Sequence, residues 1–255
     1  MDTPKKYPLG LALSGGGVRG FAHIGALRAL EEYGVKPDII AGVSAGSIVA
    51  VFYAAGFKPD DIFDLFTSIE LKSFLQLDFS KAGFLRLDRL QDFLREHLPV
   101  QNIEQLNIPT IVGATDIDNQ REMPFSSGEI APRVAASCSL PVVFTPVKID
   151  DVYCIDGGVL HNLPSFYLRP ICDKVIGVNV SPSTLGAVKL NMRSLAYRAY
   201  KIMTQHNVKV DKATCDLLID IKAIQHYGTF EVTQAQRIAR KAYFETIKVL
   251  SNRKL

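Results

Sequence analysis

The stretch Gly42-Val43-Ser44-Ala45-Gly46 decides the fold, because it joins an apolar run to an alanine-rich run through a serine framed by two glycines. The first run is typical of a buried strand and the second of a helix, which puts Ser44 at a sharp turn between them. Such a turn holds a hydroxyl at a sheet edge and at the positive end of a helix, where serine can act as a nucleophile. The pentapeptide alone is only moderately specific, since glycine- and serine-rich turns also arise by chance.

The composition fits a globular α/β protein and excludes several other classes. The 255 residues are 47% hydrophobic, which provides a sizeable core and excludes a disordered chain. The net charge is only +3, without a block of Lys and Arg, so we expect no nucleic-acid partner. The four cysteines lack C-x-x-C spacing, which argues against a zinc site and fits a reducing, cytoplasmic compartment.

The segment Ile39–Phe57 carries no charged residue and is long enough to be mistaken for a membrane span. It contains the Ser44 turn and several glycines, and a buried strand followed by a buried helix explains it better. The N-terminal residues lack the apolar run of a secretory signal. We therefore predict no signal peptide and no transmembrane segment, with a peripheral membrane contact as an open alternative.

The order of predicted elements begins β-α-β-α, which implies a mostly parallel sheet with helices packed against it. A capping box of Thr233 and Gln236 is predicted to begin the last helix. Residues 70–87, which include Phe74 and Phe84, are interpreted either as core or as a lid or lipid-facing rim, with core favoured. The predicted strands lie at 9–13, 38–43, 108–115, 122–126, 147–149, 152–155, 174–180 and 217–221. The helices predicted before the last one lie at 21–33, 45–55, 59–69, 88–98, 130–139 and 192–210.

A glycine-rich loop follows the first predicted strand and precedes the first helix. Its three consecutive glycines, Gly15, Gly16 and Gly17, allow backbone N–H groups to converge on a negative charge at a helix N-terminus. Arg19 either adds positive charge there or orients the loop by pairing elsewhere. The loop is therefore a candidate oxyanion site for a reaction at Ser44.

The same loop also matches the dinucleotide-binding pattern G-x-G-x-x-G through Gly15, Gly17 and Gly20. That fingerprint requires an acidic residue at the end of the second strand, where it holds a ribose. Asp38 falls near the start of that strand instead, so the sequence disfavours a dinucleotide cofactor.

Two residues are candidates for the base that activates Ser44. Asp156 follows an apolar run and precedes Gly157 and Gly158, which predicts a strand end in a tight turn. A partly buried carboxylate within hydrogen-bond reach of Ser44 can take its proton without an imidazole. Among the five histidines, only His161 occupies a comparable loop.

Three motifs in this order resemble the patatin-like phospholipase family. Its pattern is G-G-G-x-[RK]-G, then G-x-S-x-G about two dozen residues later, then D-G-[GA]. These motifs stand here at Gly15–Gly20, Gly42–Gly46 and Asp156–Gly158, and a proline-bearing segment at 137–146 also looks like the family's. The resemblance covers about residues 9–180, and the combination is far more specific than any one motif.

The resemblance implies a three-layer α/β/α fold with a mostly parallel sheet, as a single catalytic domain over residues 1–255. It implies a hydrolase with a Ser-Asp dyad, in which Ser44 is the nucleophile and Asp156 the general base. The substrates would be lipid acyl esters, such as phospholipids or neutral acylglycerols, cleaved through an acyl-enzyme.

The resemblance also implies an oxyanion hole built from the N–H groups of Gly15, Gly16 and Gly17, with support from Arg19. It requires neither a cofactor nor a metal. Two alternatives stay open: a binding or scaffold protein that has kept the fold without turnover, and the less favoured dinucleotide-binding oxidoreductase.

Overall fold

The computed structural model describes residues 5–68, 76–77, 85–182, 190–227 and 232–252. Within these residues, ten strands and eight α-helices follow one another along the chain. The strands are β1 (Tyr7–Leu13), β2 (Ile39–Val43), β3 (Gln76–Leu77), β4 (Leu85–Arg86), β5 (Thr110–Asp116), β6 (Arg121–Phe125), β7 (Val147–Ile149), β8 (Val152–Asp156), β9 (Cys172–Asn179) and β10 (Leu217–Asp220). The helices are α1 (Phe21–Glu32), α2 (Ala45–Ala54), α3 (Pro59–Thr67), α4 (Asp88–His97), α5 (Ile130–Ser137), α6 (Ser165–Leu168), α7 (Met192–Asp211) and α8 (Ala235–Ser251).

Eight strands form one sheet in the order β10-β9-β1-β2-β5-β8-β7, and β6 also pairs with β5. The five strands from β10 to β5 are mutually parallel, which confirms the mostly parallel sheet expected from the β-α-β-α order. The remaining pairs, β5 with β6, β5 with β8 and β7 with β8, are antiparallel. The strands predicted at 147–149 and 152–155 are confirmed as the antiparallel pair β7 and β8, which closes one end of the sheet.

Alternate residues of the central strands face two separate cores. In β1, Leu11 and Leu13 join a large core to which α1, α2, α3, α4, α5 and α8 contribute side chains. Ala12 faces a smaller core, where Leu168 of α6 and Val208 of α7 pack. Because strand side chains alternate between the faces of a sheet, the helices form two layers with the sheet between them. The predicted three-layer α/β/α fold is confirmed.

The uncharged segment Ile39–Phe57 lies inside the protein, as the sequence predicted. Every residue of β2 is buried, and in α2 the side chains of Val51 and Phe52 are fully buried in the large core. Across the part of the chain that the structure describes, no helix combines the length and hydropathy that crossing a bilayer requires.

Most predicted elements are confirmed with ends displaced by one or two residues, but the start predicted for the last helix is wrong. Helix α8 begins at Ala235, and its N-cap residue Gln234 makes no side-chain capping hydrogen bond. A 3-10 turn at Val232–Gln234 takes the place of the predicted capping box. The four-residue helix α6 was not predicted, because it is too short for a helical period to be visible in the sequence.

The segment interpreted as core or as a lipid-facing rim falls largely outside the described residues. Its described parts include β3 and β4, which pair as an antiparallel two-stranded ribbon. Phe74 and Phe84 lie outside the described residues.

Candidate active site

Ser44 lies at the turn between β2 and α2 with backbone angles φ 53° and ψ −127°. This positive φ is unfavourable for a residue with a side chain, so the surrounding structure must hold it. The framing glycines permit the turn by close backbone contact. A Cβ atom on Gly42 would lie 2.6 Å from the carbonyl oxygen of Gly46, and one on Gly46 would clash with the carbonyl oxygen of Leu13.

Hydrogen bonds to neighbouring serines fix the backbone of this turn. The N–H of Ser44 donates to Oγ of Ser137 at 2.8 Å, and that hydroxyl donates in turn to the carbonyl oxygen of Gly113 at 2.6 Å. The carbonyl oxygen of Ser44 accepts from Oγ of Ser47 at 2.7 Å. The main chain of Ser44 is thereby held at both ends, while its side chain lines a cavity.

The sheet brings Asp156 to Ser44 by an end-to-end meeting of two strands. Strand β6 occupies one edge of β5, so β2 and β8 share the other edge. Strand β2 ends with Val43 paired to Gly113, and the antiparallel β8 ends with Asp156 paired to Ala114. The carboxyl ends of both strands therefore reach adjacent residues of β5, and Ser44 follows directly after the first of them.

The Asp156 carboxyl is buried, with 2% of the residue exposed. The Gly158 N–H donates a hydrogen bond to it at 2.8 Å. Burial raises the pKa of Asp156 from 3.8 to about 6, although the Gly158 hydrogen bond and interactions with the hydroxyls of Ser44 and Tyr200 oppose the shift. The group is therefore ionised at neutral pH and has an unusually high proton affinity for an aspartate.

The cavity beside Ser44 and Asp156 is small, with a volume of about 70 Å³. One wall is apolar and comes from Cys138, Leu140 and Phe144, which follow α5. Burial raises the pKa of the Cys138 thiol well above its usual value, so this group stays protonated. Such a wall suits the hydrocarbon part of a ligand next to the serine.

The glycine-rich loop forms another wall of the cavity. Its hydrogen bonds reduce the predicted oxyanion donors from three N–H groups to two. The N–H of Gly15 already donates to the carbonyl oxygen of Asn162 at 3.0 Å, so it does not fit the oxyanion role that the sequence indicated. Gly16 and Gly17 line the cavity, and neither N–H is donated to a residue that the structure describes. The backbone donors open to a developing charge are those of Gly16 and Gly17.

Arg19 orients the loop instead of facing the cavity, which was the second of its two predicted alternatives. Its side chain is buried, and Nε and Nη2 donate to the carbonyl oxygen of Tyr227 at 3.0 and 2.7 Å. The last glycine of the loop, Gly20, lies close against α2: a Cβ atom there would be 2.9 Å from Cβ of Ala45.

Two histidines near the site, the buried His23 and the partly buried His161, are engaged away from Ser44. In His161, Nδ1 lies 2.6 Å from a carboxylate oxygen of Asp211 and Nε2 lies 3.3 Å from one of Glu122. In His23, Nε2 lies 2.7 Å from the carbonyl oxygen of Ser14. Burial lowers the pKa of His23 to about 4, so this ring is neutral. Of the two candidate bases, the structure places Asp156 at Ser44 and turns His161 elsewhere.

Helix α7 supplies the groups that sequence reasoning missed. Tyr200 donates to the Asp156 carboxylate, and burial raises the pKa of this phenol so that it keeps its proton. Asn207 donates from Nδ2 to the carbonyl oxygen of Gly158 at 2.9 Å. Lys201 also lines the cavity. The sequence predicted this helix at 192–210. No sequence pattern indicates that its inner face packs on the turn that follows Asp156.

Asp38, the acidic residue nearest to the second strand, lies at the wrong end of that strand to bind a ribose. Asp38 immediately precedes β2, and its carboxylate accepts a hydrogen bond from the N–H of Leu9 at 2.9 Å. Ser44 follows the opposite end of the same strand. The loop therefore lacks the acid that a bound ribose requires at the carboxyl end of β2.

The fold and site define an α/β protein in which a strand–turn–helix elbow places a serine against a buried aspartate. The chain belongs to the patatin-like phospholipase family, whose model matches residues 11–168. The family that the three motifs resembled is thereby confirmed.

Relatives by sequence carry names from the same family. An uncharacterized NTE family protein of Mycobacterium tuberculosis is 34% identical over 183 residues, which cover 70% of this chain and 51% of that protein. A lysophospholipase NTE1 of Pyricularia oryzae is 30% identical over 179 residues, covering 68% of this chain and 12% of that one. The chain thus spans about half the length of the first relative and a small part of the second.

Solved structures share the fold at low sequence identity. VipD from Legionella pneumophila superimposes with a TM-score of 0.63 at 16% identity, covering 98% of this chain and 68% of VipD. ExoU from Pseudomonas aeruginosa, in complex with SpcU, gives a TM-score of 0.54 at 14% identity, covering 98% of this chain and 53% of the other.

Proposed function

We propose that the protein is a serine hydrolase of lipid acyl esters, with Ser44 as the nucleophile and Asp156 as the general base. The observation that carries the proposal is the placement of Ser44 and Asp156 at adjacent residues of β5, which brings the Ser44 side chain into the same cavity as a buried carboxylate that is ionised at neutral pH. Membership of the patatin-like phospholipase family and a relative named as a lysophospholipase support lipid esters as the substrates.

In the first half of the reaction, Asp156 takes the hydroxyl proton as Oγ of Ser44 attacks the ester carbonyl carbon. The charge that develops on the carbonyl oxygen is stabilised by the N–H groups of Gly16 and Gly17. Collapse of the tetrahedral intermediate expels the alcohol, which receives the proton from Asp156, and leaves an acyl-enzyme. Water then attacks the acyl carbon with Asp156 again as the base, and the fatty acid is released.

The site draws on elements spread over most of the chain, which supports a single catalytic domain over residues 1–255. The sheet that positions Ser44 and Asp156 takes strands from β1 to β10, and α8 packs on α1. A domain boundary inside this span would cut the sheet or separate α8 from its core.

Covalent labelling tests the proposed function against its alternatives. A fluorophosphonate probe should modify Ser44, as located by peptide mass spectrometry, and the protein should release fatty acid from lipid esters. A folded protein that neither reacts with the probe nor turns over a broad ester panel would be a scaffold that has kept the fold. A rise in melting temperature with NAD would favour the oxidoreductase.

Tyr200→Phe is expected to move the acid limb of the pH profile. The Tyr200 hydrogen bond lowers the pKa of Asp156, so its removal should raise that pKa by about one unit. The measurement is kcat/KM against pH on a water-soluble ester. Tyr53→Phe is the matched control, because Tyr53 donates to Glu31 at 3.0 Å on the protein surface. An acid limb that stays in place in Tyr200→Phe would contradict the assigned role.

We also propose that the outer face of α7 contacts the lipid aggregate. Leu195, Ile202 and Met203 are 56%, 61% and 43% exposed, and the exposed Lys209 lies on the same helix. Apolar side chains beside a basic one are suited to an anionic lipid surface. The inner face of the same helix carries Tyr200 to Asp156, so a lipid held on α7 would lie close to the cavity.

Leu195→Glu is expected to weaken vesicle binding by about tenfold, since it removes an exposed leucine that would be buried against the membrane and adds a negative charge. The measurement is co-sedimentation with phosphatidylcholine vesicles that contain phosphatidylserine. Phe244→Glu on α8 is the control, because Phe244 is 55% exposed outside the proposed contact. Equal losses in the two variants would show that α7 has no special part in lipid binding.

A further inference from the structure

Lys201 brings a buried positive charge into the wall of the catalytic cavity. Only 8% of the residue is exposed, and Nζ donates to Oγ of Ser181 at 2.7 Å. Both residues line the same cavity as Ser44. An ammonium group has three donors, and no carboxylate among the described residues pairs with this one.

A second buried cation lies near the first. Nη1 of Arg19 is buried without a hydrogen-bond partner among the described residues, although Nε and Nη2 are paired. Burial and the charge of Arg19 together lower the pKa of Lys201 to about 8. Two like charges in a medium of low dielectric repel one another, and neither is paired with a carboxylate from the part of the chain that the structure describes. A bound anion next to Lys201 would relieve both costs.

We propose that Lys201 and Ser181 form a subsite for the phosphate of a phospholipid substrate. The inference rests on the proposed function, because it places the phosphate while Ser44 attacks the acyl ester. In a glycerophospholipid the ester and the phosphate are joined by a few bonds, so both groups can reach one small cavity. A neutral acylglycerol offers no charge to Lys201 and would bury the ammonium unpaired.

A larger neighbouring cavity provides room for the rest of the headgroup. Its volume is about 450 Å³, and Ser181 lines both cavities. Lys212 in its wall is paired with Asp220 at 2.8 Å, whereas the side chain of Lys222 forms no ion pair with a described residue. Three lysines, Lys209, Lys212 and Lys222, line this second cavity against one carboxylate, so it suits an uncharged or anionic headgroup and disfavours a cationic one. It adjoins the phosphate subsite through Ser181.

The test compares phosphatidylglycerol, whose headgroup beyond the phosphate is uncharged, with a diacylglycerol that has the same acyl chains, both in micelles of an uncharged detergent. We expect Lys201→Met to lower the ratio of kcat/KM for the phospholipid over that for the diacylglycerol by about 10- to 100-fold, since a charge-assisted hydrogen bond is lost. Lys201→Arg should retain most of the preference. Lys36→Met is the control, because Lys36 is exposed in the loop before β2, away from the cavity. An unchanged ratio in Lys201→Met would overturn the subsite, even if both rates fall.

A binding measurement separates this inference from the proposed hydrolysis. In the Ser44→Ala background, glycerophosphoglycerol should raise the melting temperature, and Lys201→Met should abolish that rise. Inorganic phosphate is tested in parallel. A response to inorganic phosphate alone would identify a free-anion site and overturn the phospholipid assignment. If the wild type hydrolyses neither lipid, the proposed function fails, while the shift in melting temperature still decides whether Lys201 binds a phosphodiester.

Discussion

Ser44→Ala abolishes ester hydrolysis in the mechanism proposed here, with an expected loss in kcat on the order of 10⁵-fold or more. Without Oγ no acyl-enzyme forms, and the carboxylate of Asp156 has no hydroxyl to activate. The fold should survive, because Ser137 and Ser47 hold the backbone of the turn and alanine leaves those hydrogen bonds in place. The measurement pairs initial rates on lipid and water-soluble esters with a thermal melt.

The control for this variant is another serine in the same protein. Ser127 is exposed in the turn after β6, so Ser127→Ala should keep full activity and full labelling by the fluorophosphonate probe. Substantial hydrolysis by Ser44→Ala would move the nucleophile elsewhere in the chain.

The elbow could be predicted from the sequence because its requirements are local. Gly42 meets backbone atoms of Gly46 and Ser47, a few residues away, and an apolar strand followed by an alanine-rich helix is visible in a short stretch of sequence. The turn after Asp156 is local in the same way, since Gly158 caps the carboxylate from two residues away. The motifs therefore identify the reacting groups without showing how they meet.

The proximity of Ser44 and Asp156 could not be predicted, because it depends on the pairing of strands that are far apart in the sequence. Asp156 reaches Ser44 only because β8 runs antiparallel to β5 at the end of a parallel sheet. The order of strands and helices along the chain does not reveal the direction of β8. The loss of Gly15 as an oxyanion donor depends on Asn162, which lies far along the chain. Tyr200 and Lys201 likewise reach the site from a helix whose sequence shows only amphipathic, basic character.

The mechanism makes Asp156→Asn nearly as damaging as loss of the nucleophile, with kcat lowered by about 10³-fold or more. The amide keeps the shape of the carboxyl and an oxygen for the Gly158 N–H, but it cannot take a proton from Ser44. His161→Asn provides the comparison, because the His161 ring nitrogens face Asp211 and Glu122. The measurement is kcat for both variants on one ester. If His161→Asn lost its activity while Asp156→Asn kept it, the general base would be His161 and not Asp156.

The same substitution should stabilise the fold at the pH where it removes activity. The folded pKa of Asp156 is about 6, above the ordinary 3.8, so the folded state holds the proton more tightly than the unfolded state. The stability that this group contributes is complete below pH 3.8 and is lost as the pH rises through 6, by about 3 kcal/mol in total. The wild type should therefore lose free energy of unfolding relative to Asp156→Asn across that window, while its kcat/KM rises toward a plateau above pH 6. Denaturant unfolding of both proteins at a series of pH values measures the difference. A difference that does not change with pH would contradict a buried, ionising Asp156, and with it the base assigned to Ser44.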